Sequence, residues 1–250
     1  MDFGKSFVFM FEDPNWVRKF GIGALVALAG LLLSPILIGL LAFVFLAGYS
    51  LDVTRNVVRR EQYPLPEWDD WGGFFVKGLK ITLAILIWSL PVLLAMVPMI
   101  FGGIWMGNEN GDGAAFGGIF LLLCGLCLAV LWGIFVTVIS PAIYVRMAQT
   151  GRFASAFEVG ELWSFTSRNL GNIIIAVILT LVAGLIASAV GGLGALLCGV
   201  GILFTIPVAT TWQYLVTAHL FGQVGAVDRD ARQENLDLET PALPEPPAAA

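Results

Sequence analysis

Four groups of residues in this 250-residue chain have types and spacings that could carry chemistry. His219 is the one histidine, and an imidazole in apolar surroundings can hold or relay a proton. Cys124-Gly125-Leu126-Cys127 has the spacing of a dithiol pair, whose reactivity needs a thiolate. Glu67-Trp68-Asp69-Asp70-Trp71 sets three carboxylates beside two indoles, a combination suited to a cation, a lipid headgroup or a basic partner. Gly184, Ser188 and Gly192 recur every four residues, as do Ala187, Gly191 and Ala195, the spacing of a small-residue ridge by which helices approach closely in lipid, within the chain or between copies.

Each group also has a plainer reading, and the elements around it decide between the two. His219 sits toward the end of an apolar segment, where it can reach the interface and bond free carbonyls; a proton-linked role is the alternative. The cysteine pair lies inside an apolar run, so packing is the expectation rather than redox chemistry. Pro66 can open a helix, with Glu67, Asp69 and Asp70 in the first turn, where negative charge is favoured. Trp68, Trp71 and Phe75 then share one aromatic face suited to the headgroup region. That stretch reads as cap and anchor, or as an interaction surface. Carboxylates without further defined ligands do not specify a metal site. No phosphate loop, metal motif or nucleophile constellation appears, so catalytic, cofactor-binding and metal residues are all expected to be none.

Composition says what holds these residues. The chain is 58% hydrophobic and 12% charged, about half the charge of a soluble domain. No Asp, Glu, Lys or Arg occurs in 20–51, 81–108, 113–145 or 169–227. Apolar runs this long are solvated by lipid. The near-neutral membrane part leaves no basic footprint for nucleic acid.

All thirteen Lys and Arg residues can be placed on one side of a bilayer, and basic residues favour the cytoplasmic side. Segment 20–51 is then the deciding one. As a single helix it is roughly 48 Å long at 1.5 Å per residue, against a hydrocarbon core of about 30 Å. A hairpin turning at Ser34-Pro35 keeps Lys5, Arg18 and Lys19 on the same side as Arg55, Arg59 and Arg60; one long helix kinked at Pro35 separates them. Further spans follow at about 79–106, 116–147, 170–191 and 200–222. The glycine-rich stretch 191–201 is the last turn, and the outer turns carry only Glu109 and Asp112.

The expected fold is therefore an all-α polytopic membrane bundle. It has six transmembrane helices in three hairpins, with both termini cytoplasmic; five spans with a kinked first helix is the alternative. Two amphipathic segments should lie along the interface. One carries Phe3, Phe7, Met10 and Phe11, and the other spans 152–168 with Phe153, Phe157 and Trp163. Residues 1–225 form the membrane domain, and 226–250 an acidic, Pro/Ala-rich tail without the apolar content to fold.

Motifs spread along the membrane part carry a resemblance. They include Glu12-Asp13-Pro14-Asn15-Trp16-Val17-Arg18-Lys19, Gly48-Tyr49, Arg55, Arg59, Leu65 through Trp71, and Lys77-Gly78-Leu79. Pro141-Ala142, Gly151-Arg152-Phe153, Ala156-Phe157 and Ala218 through Gln223 follow. With these the chain resembles the domain-of-unknown-function family 4013, multi-pass proteins of bacteria and archaea, over about 1–225. The resemblance implies an integral protein of a prokaryotic cytoplasmic membrane and brings no activity with it. The expected role is a non-catalytic structural or accessory module that contacts the lipid bilayer or a membrane or cytoplasmic protein partner through its cytoplasmic face. A transporter or channel for a small neutral or apolar solute is the alternative.

Overall fold

A computed structural model of the chain describes residues 2–36, 38–107, 112–196 and 200–239. Glu109, residues 197–199 of the glycine-rich turn and the tail beyond Glu239, all part of the expectations above, lie outside the described residues. The described residues form eight α-helices joined by short 3-10 turns and contain no strand. The helices are α1 (Lys5–Val8), α2 (Trp16–Leu33), α3 (Gly39–Val58), α4 (Trp71–Gly107), α5 (Asp112–Thr150), α6 (Val159–Arg168), α7 (Leu170–Leu193) and α8 (Ile202–Glu239). Five segments are long and apolar enough to cross a membrane: Trp16–Ile36, Gly39–Val58, Trp71–Gly107, Phe116–Thr150 and Leu170–Leu196. Helix α8 stands outside that set, and its middle carries Thr210, Thr211, Gln213 and His219.

The first apolar segment breaks where Ser34-Pro35 interrupts it. A 3-10 turn over Ser34–Ile36 lets α3 run back along α2. Gly39 makes that return possible, since a Cβ there would overlap the Gly30 carbonyl and the Ser34 amide. Helix α3 is the most enclosed of the five apolar segments, with 67% of its apolar window buried. It packs on α2, α4, α5 and α8.

Its crossing with α4 is backbone against backbone. A Cβ on Gly48 would overlap the Phe74 carbonyl, and one on Gly78 would overlap the Val44 carbonyl. Two side-chain-free positions thus let the helices meet along their main chains. Helices α4 and α5 form a long antiparallel pair whose outer surfaces expose Leu94, Phe101, Phe116, Phe120 and Leu131. That is the distribution expected of surface that faces lipid. Pro141 lies within α5 and has no amide donor to give to the Thr137 carbonyl. The Ser140 hydroxyl donates to that carbonyl at 2.9 Å instead.

Several expectations need correction. The first amphipathic segment buries one side against protein, while Val8 and Phe11 stay exposed. Phe9 and Met10 are 1% and 0% exposed, and the segment is packed against α8. Its apolar face meets protein because α8 offers His219 and Trp212 to it: Phe9 stacks on His219 at 4.2 Å, and the Trp212 indole donates to the Phe7 carbonyl at 3.2 Å. The chain also does not lose its fold at residue 226. Helix α8 continues to Glu239, because Asp228 is buried and bonded to three neighbours. The cysteine pair does not pack inside: Cys124 and Cys127 face outward, and Gly125 between them is the residue that meets α4 at Ala95 and Pro98.

Candidate functional site at the polar end

Long-range contacts draw the basic residues to one end of the bundle. Arg55 of α3 donates to the Ala148 carbonyl of α5 at 2.8 Å. Lys80 of α4 reaches the Gly151 carbonyl at 3.3 Å. Arg60 pairs with Asp230, Arg18 with Glu67 at 2.9 Å, and Arg168 with Asp228 at 3.3 Å. The start of the chain joins the same end, where the Gln223 amide donates to the Asp2 carbonyl at 2.7 Å.

The stretch around Glu67–Trp71 is the keystone of this end, and it is not helical from Pro66. Helix α4 begins at Trp71. Asp70 caps it, with its carboxylate accepting the Gly73 amide at 2.8 Å. Residues before it stay extended because other helices occupy their carbonyls. The Pro64 carbonyl accepts from Asn56 at 3.0 Å, that of Leu65 from Lys19 at 2.8 Å, and that of Pro66 from the Tyr49 hydroxyl at 3.0 Å.

Trp68 is buried rather than on an interfacial face. It stacks on Tyr49 at 4.3 Å and 8° and donates to the Lys19 carbonyl at 2.9 Å. Glu67 bridges Arg18 and Lys19, and Asp70 also reaches Lys77 at 3.7 Å. Asp69 and Trp71 are exposed. Of the five residues read as an interaction surface, these two and Asp70 face outward, while Glu67 and Trp68 serve as a clamp.

Lys19 sits at the centre of the clamp, with its side chain 8% exposed. Its ammonium donates to Asp13 at 2.7 Å and to the Leu65 carbonyl, and lies 3.3 Å from Glu67. Three acceptors match its three N–H donors. A second node joins α3, α4 and α5, where Asp52 accepts from Lys77 at 2.7 Å and lies 3.4 Å from Arg55. A third joins α6, α7 and α8. There Asp228 accepts from Asn169 at 2.7 Å and from Arg232 at 2.8 Å. A sequence reading misses this last node. Its one local signal is the i, i+4 spacing of Asp228 and Arg232, which suits a helix.

His219 lies mid-helix, not at a helix end, and bonds a side chain rather than free carbonyls. It is 4% exposed. Its Nδ1 is 2.9 Å from the Ser6 hydroxyl and 3.2 Å from the Gln223 amide. The ring borders a cavity of about 620 Å³ between the N-terminal segment, the loop after α3 and α8. Asp2, Lys5, Glu61 and Arg60 stand around it. Arg60 has φ 58°, and among the described residues it is the one non-glycine there with positive φ. It occupies the position after α3 where glycine is favoured, with the Glu61 amide bonded back to Asn56 at 3.0 Å. Its guanidinium holds the Asp230 carboxyl below the usual carboxylate range through their hydrogen bond.

Of the two small-residue lines on α7, the one through Ala187 and Gly191 is turned inward, and Ser188 and Gly192 of the other are exposed. The buried line of α7 is Ala183, Ala187 and Gly191, with Gly191 against Ile206 of α8. Gly184 faces the Gln213 amide, while Ser188 and Gly192 edge a groove of about 330 Å³ between α7 and α8.

No curated protein and no solved structure matches the chain. A family model described as "Protein of unknown function (DUF4013)" matches residues 31–198, from the end of α2 through α7. Of the motifs that carried the resemblance, those from Gly48-Tyr49 to Ala156-Phe157 fall inside that range. Glu12 through Lys19 and Ala218 through Gln223 fall outside it. Two-thirds of the chain matched in one continuous stretch identifies it: the protein belongs to the DUF4013 family.

Proposed function

We propose that this protein is an integral protein of a prokaryotic cytoplasmic membrane, and that it serves as a non-catalytic accessory module whose polar end meets lipids or a protein partner. In this reading α2, α3, α4, α5, α7 and α8 cross as three hairpins. The basic end and both termini are cytoplasmic, as the bias of basic residues requires. One observation carries the functional part. Lys19, Asp52 and Asp228 sit in ion-pair nodes that together join every crossing helix, and the charges in these nodes do not converge on a reaction site. Such cross-linking makes a stiff plate with an outward rim that includes Asp69, Trp71 and Glu61.

Two experiments test this. In a variant lacking Cys124, Cys127 and Cys198, single cysteines at Asn15 and at Gln62 should both react from the cytoplasmic side only. External labelling at Asn15 would defeat the hairpin topology. Reversing the rim charges with Asp69→Lys and Glu61→Lys should remove at least one co-purifying protein or lipid class while the thermal midpoint stays put. An unchanged set would count against the accessory role.

A transporter or channel for a small neutral solute is the second reading. It is favoured by Pro91 and Pro98 in α4, Pro141 in α5 and Pro207 in α8. Each proline removes a helix hydrogen bond and supplies a bending point. Solute flux into proteoliposomes, absent from protein-free vesicles, would favour it over the accessory role.

A further inference from the structure

We infer that the cavity at the polar end is a binding site for a small zwitterion, one that carries an ammonium and an anionic group a few ångströms apart. Its volume of about 620 Å³ falls within the range of about 300–1,000 Å³ typical of small-molecule sites. Three stretches distant in sequence build it, so it exists only in the assembled fold. Val57, Pro64 and Ala226 give it an apolar lining, and charges of both signs stand around them.

The charges sort into two kinds. Glu61 is exposed and has no partner among the described residues. Among the described residues Asp2 accepts only the Lys5 amide, at 3.0 Å, through one carboxylate oxygen. These two carboxylates can receive an ammonium. Lys5 and Arg60 hold exposed ion pairs, Lys5 with Glu12 at 3.0 Å and Arg60 with Asp230. Exposed pairs exchange at little cost, so both cations can turn to an incoming anion. A purely anionic ligand would meet the carboxylates of Asp2, Glu12 and Glu61, and a purely cationic one would meet Lys5 and Arg60. A zwitterion satisfies both sets.

Two further observations fit an occupied site. His219 commits Nδ1 to Ser6 and Gln223, and its Nε2 has no partner among the described residues, which leaves a ring nitrogen for a ligand. Arg60 keeps a left-handed backbone at the cavity wall, a conformation that is strained for a non-glycine residue. A glycine would fit the turn better but could not place a guanidinium there.

The same chemistry could arrive as a phosphoethanolamine lipid headgroup or as a free solute. This inference goes beyond the accessory role and does not depend on it, because partner capture and ligand binding are separate readouts. The test uses the full chain in detergent freed of lipid, titrated with O-phosphoethanolamine while its thermal midpoint is followed. A saturable rise is expected. Ethylammonium and inorganic phosphate, which each carry half of the ligand, should produce none. Glu61→Gln and Lys5→Gln, both at exposed positions, should each weaken the response about tenfold without shifting the midpoint of the unliganded protein.

A second arm places the protein in nanodiscs. If phosphatidylethanolamine nanodiscs abolish the response to free phosphoethanolamine and phosphatidylglycerol nanodiscs preserve it, the headgroup is the source. If both preserve it, the source is a solute. No saturable rise, an equal rise with either half-ligand, or an equal rise in both variants would overturn the inference.

Discussion

A Lys19→Met variant is expected to lose about 3–5 kcal/mol of stability, the scale seen when one partner of a buried ion pair is removed. Three acceptors surround that ammonium, and the Asp13 side chain is 2% exposed. Methionine fills much of the same space, so the loss comes from the stranded carboxylate and the orphaned Leu65 carbonyl rather than from a cavity. Reversible unfolding in mixed micelles gives the number. The double variant Lys19→Met with Asp13→Asn should regain a substantial part of it, because no charge is then left unpaired. A single variant within about 1 kcal/mol of wild type, the level of an exposed pair, would mean that the node is idle. Glu67→Gln is the useful comparison. Glu67 is more exposed than Asp13, so its loss should be much the smaller.

The second large effect is expected at Gly48. An alanine there pushes its methyl into the Phe74 carbonyl of α4. No rotamer relieves an overlap with backbone, so the helices must separate along a crossing where Gly78 meets Val44 in the same way. Over-packing of this kind costs about 1–3 kcal/mol and at times more; Gly48→Ala should fall at the upper end. Gly133→Ala in α5 is the control, since nothing lies within 4 Å of its Cβ position. It should be neutral or stabilising by up to about 1 kcal/mol through helix propensity. Equal midpoints for the two variants would remove the close α3–α4 crossing from any account of this fold.

These two residues also show what the sequence made legible. The charge-free runs announced apolar helices because lipid-length segments need no partner to be recognised. Ser34-Pro35 announced its own break, since proline restricts the chain locally. The rest depended on distant groups. Pro66 looks like a helix start until Lys19, Tyr49 and Asn56 are seen to hold the carbonyls of residues 64–66. Phe7 and Met10 have helical spacing, but spacing cannot say whether an apolar face meets lipid or protein. Trp68 looked like an interfacial anchor for the same reason. The Gly184 ridge was visible because its members repeat. Gly48 and Gly78 are thirty positions apart and repeat nothing, so their contact was hidden. Asp228 was assigned to a tail because its partners, Asn169 and Arg168, lie some sixty positions away, at the opposite end of the chain stretch that forms the last hairpin.

The docking of α1 and its neighbours Asp2 and Phe9 against α8 has a consequence for the order in which the protein is built. Phe9 and Met10 leave the ribosome early, yet the surfaces that bury them, His219 and Trp212, are translated some two hundred residues later. Until α8 is made, this segment has α2 to pack on but lacks the α8 groups that bond and stack with Phe7 and Phe9. Any step that delays α8 therefore also delays the docking of α1.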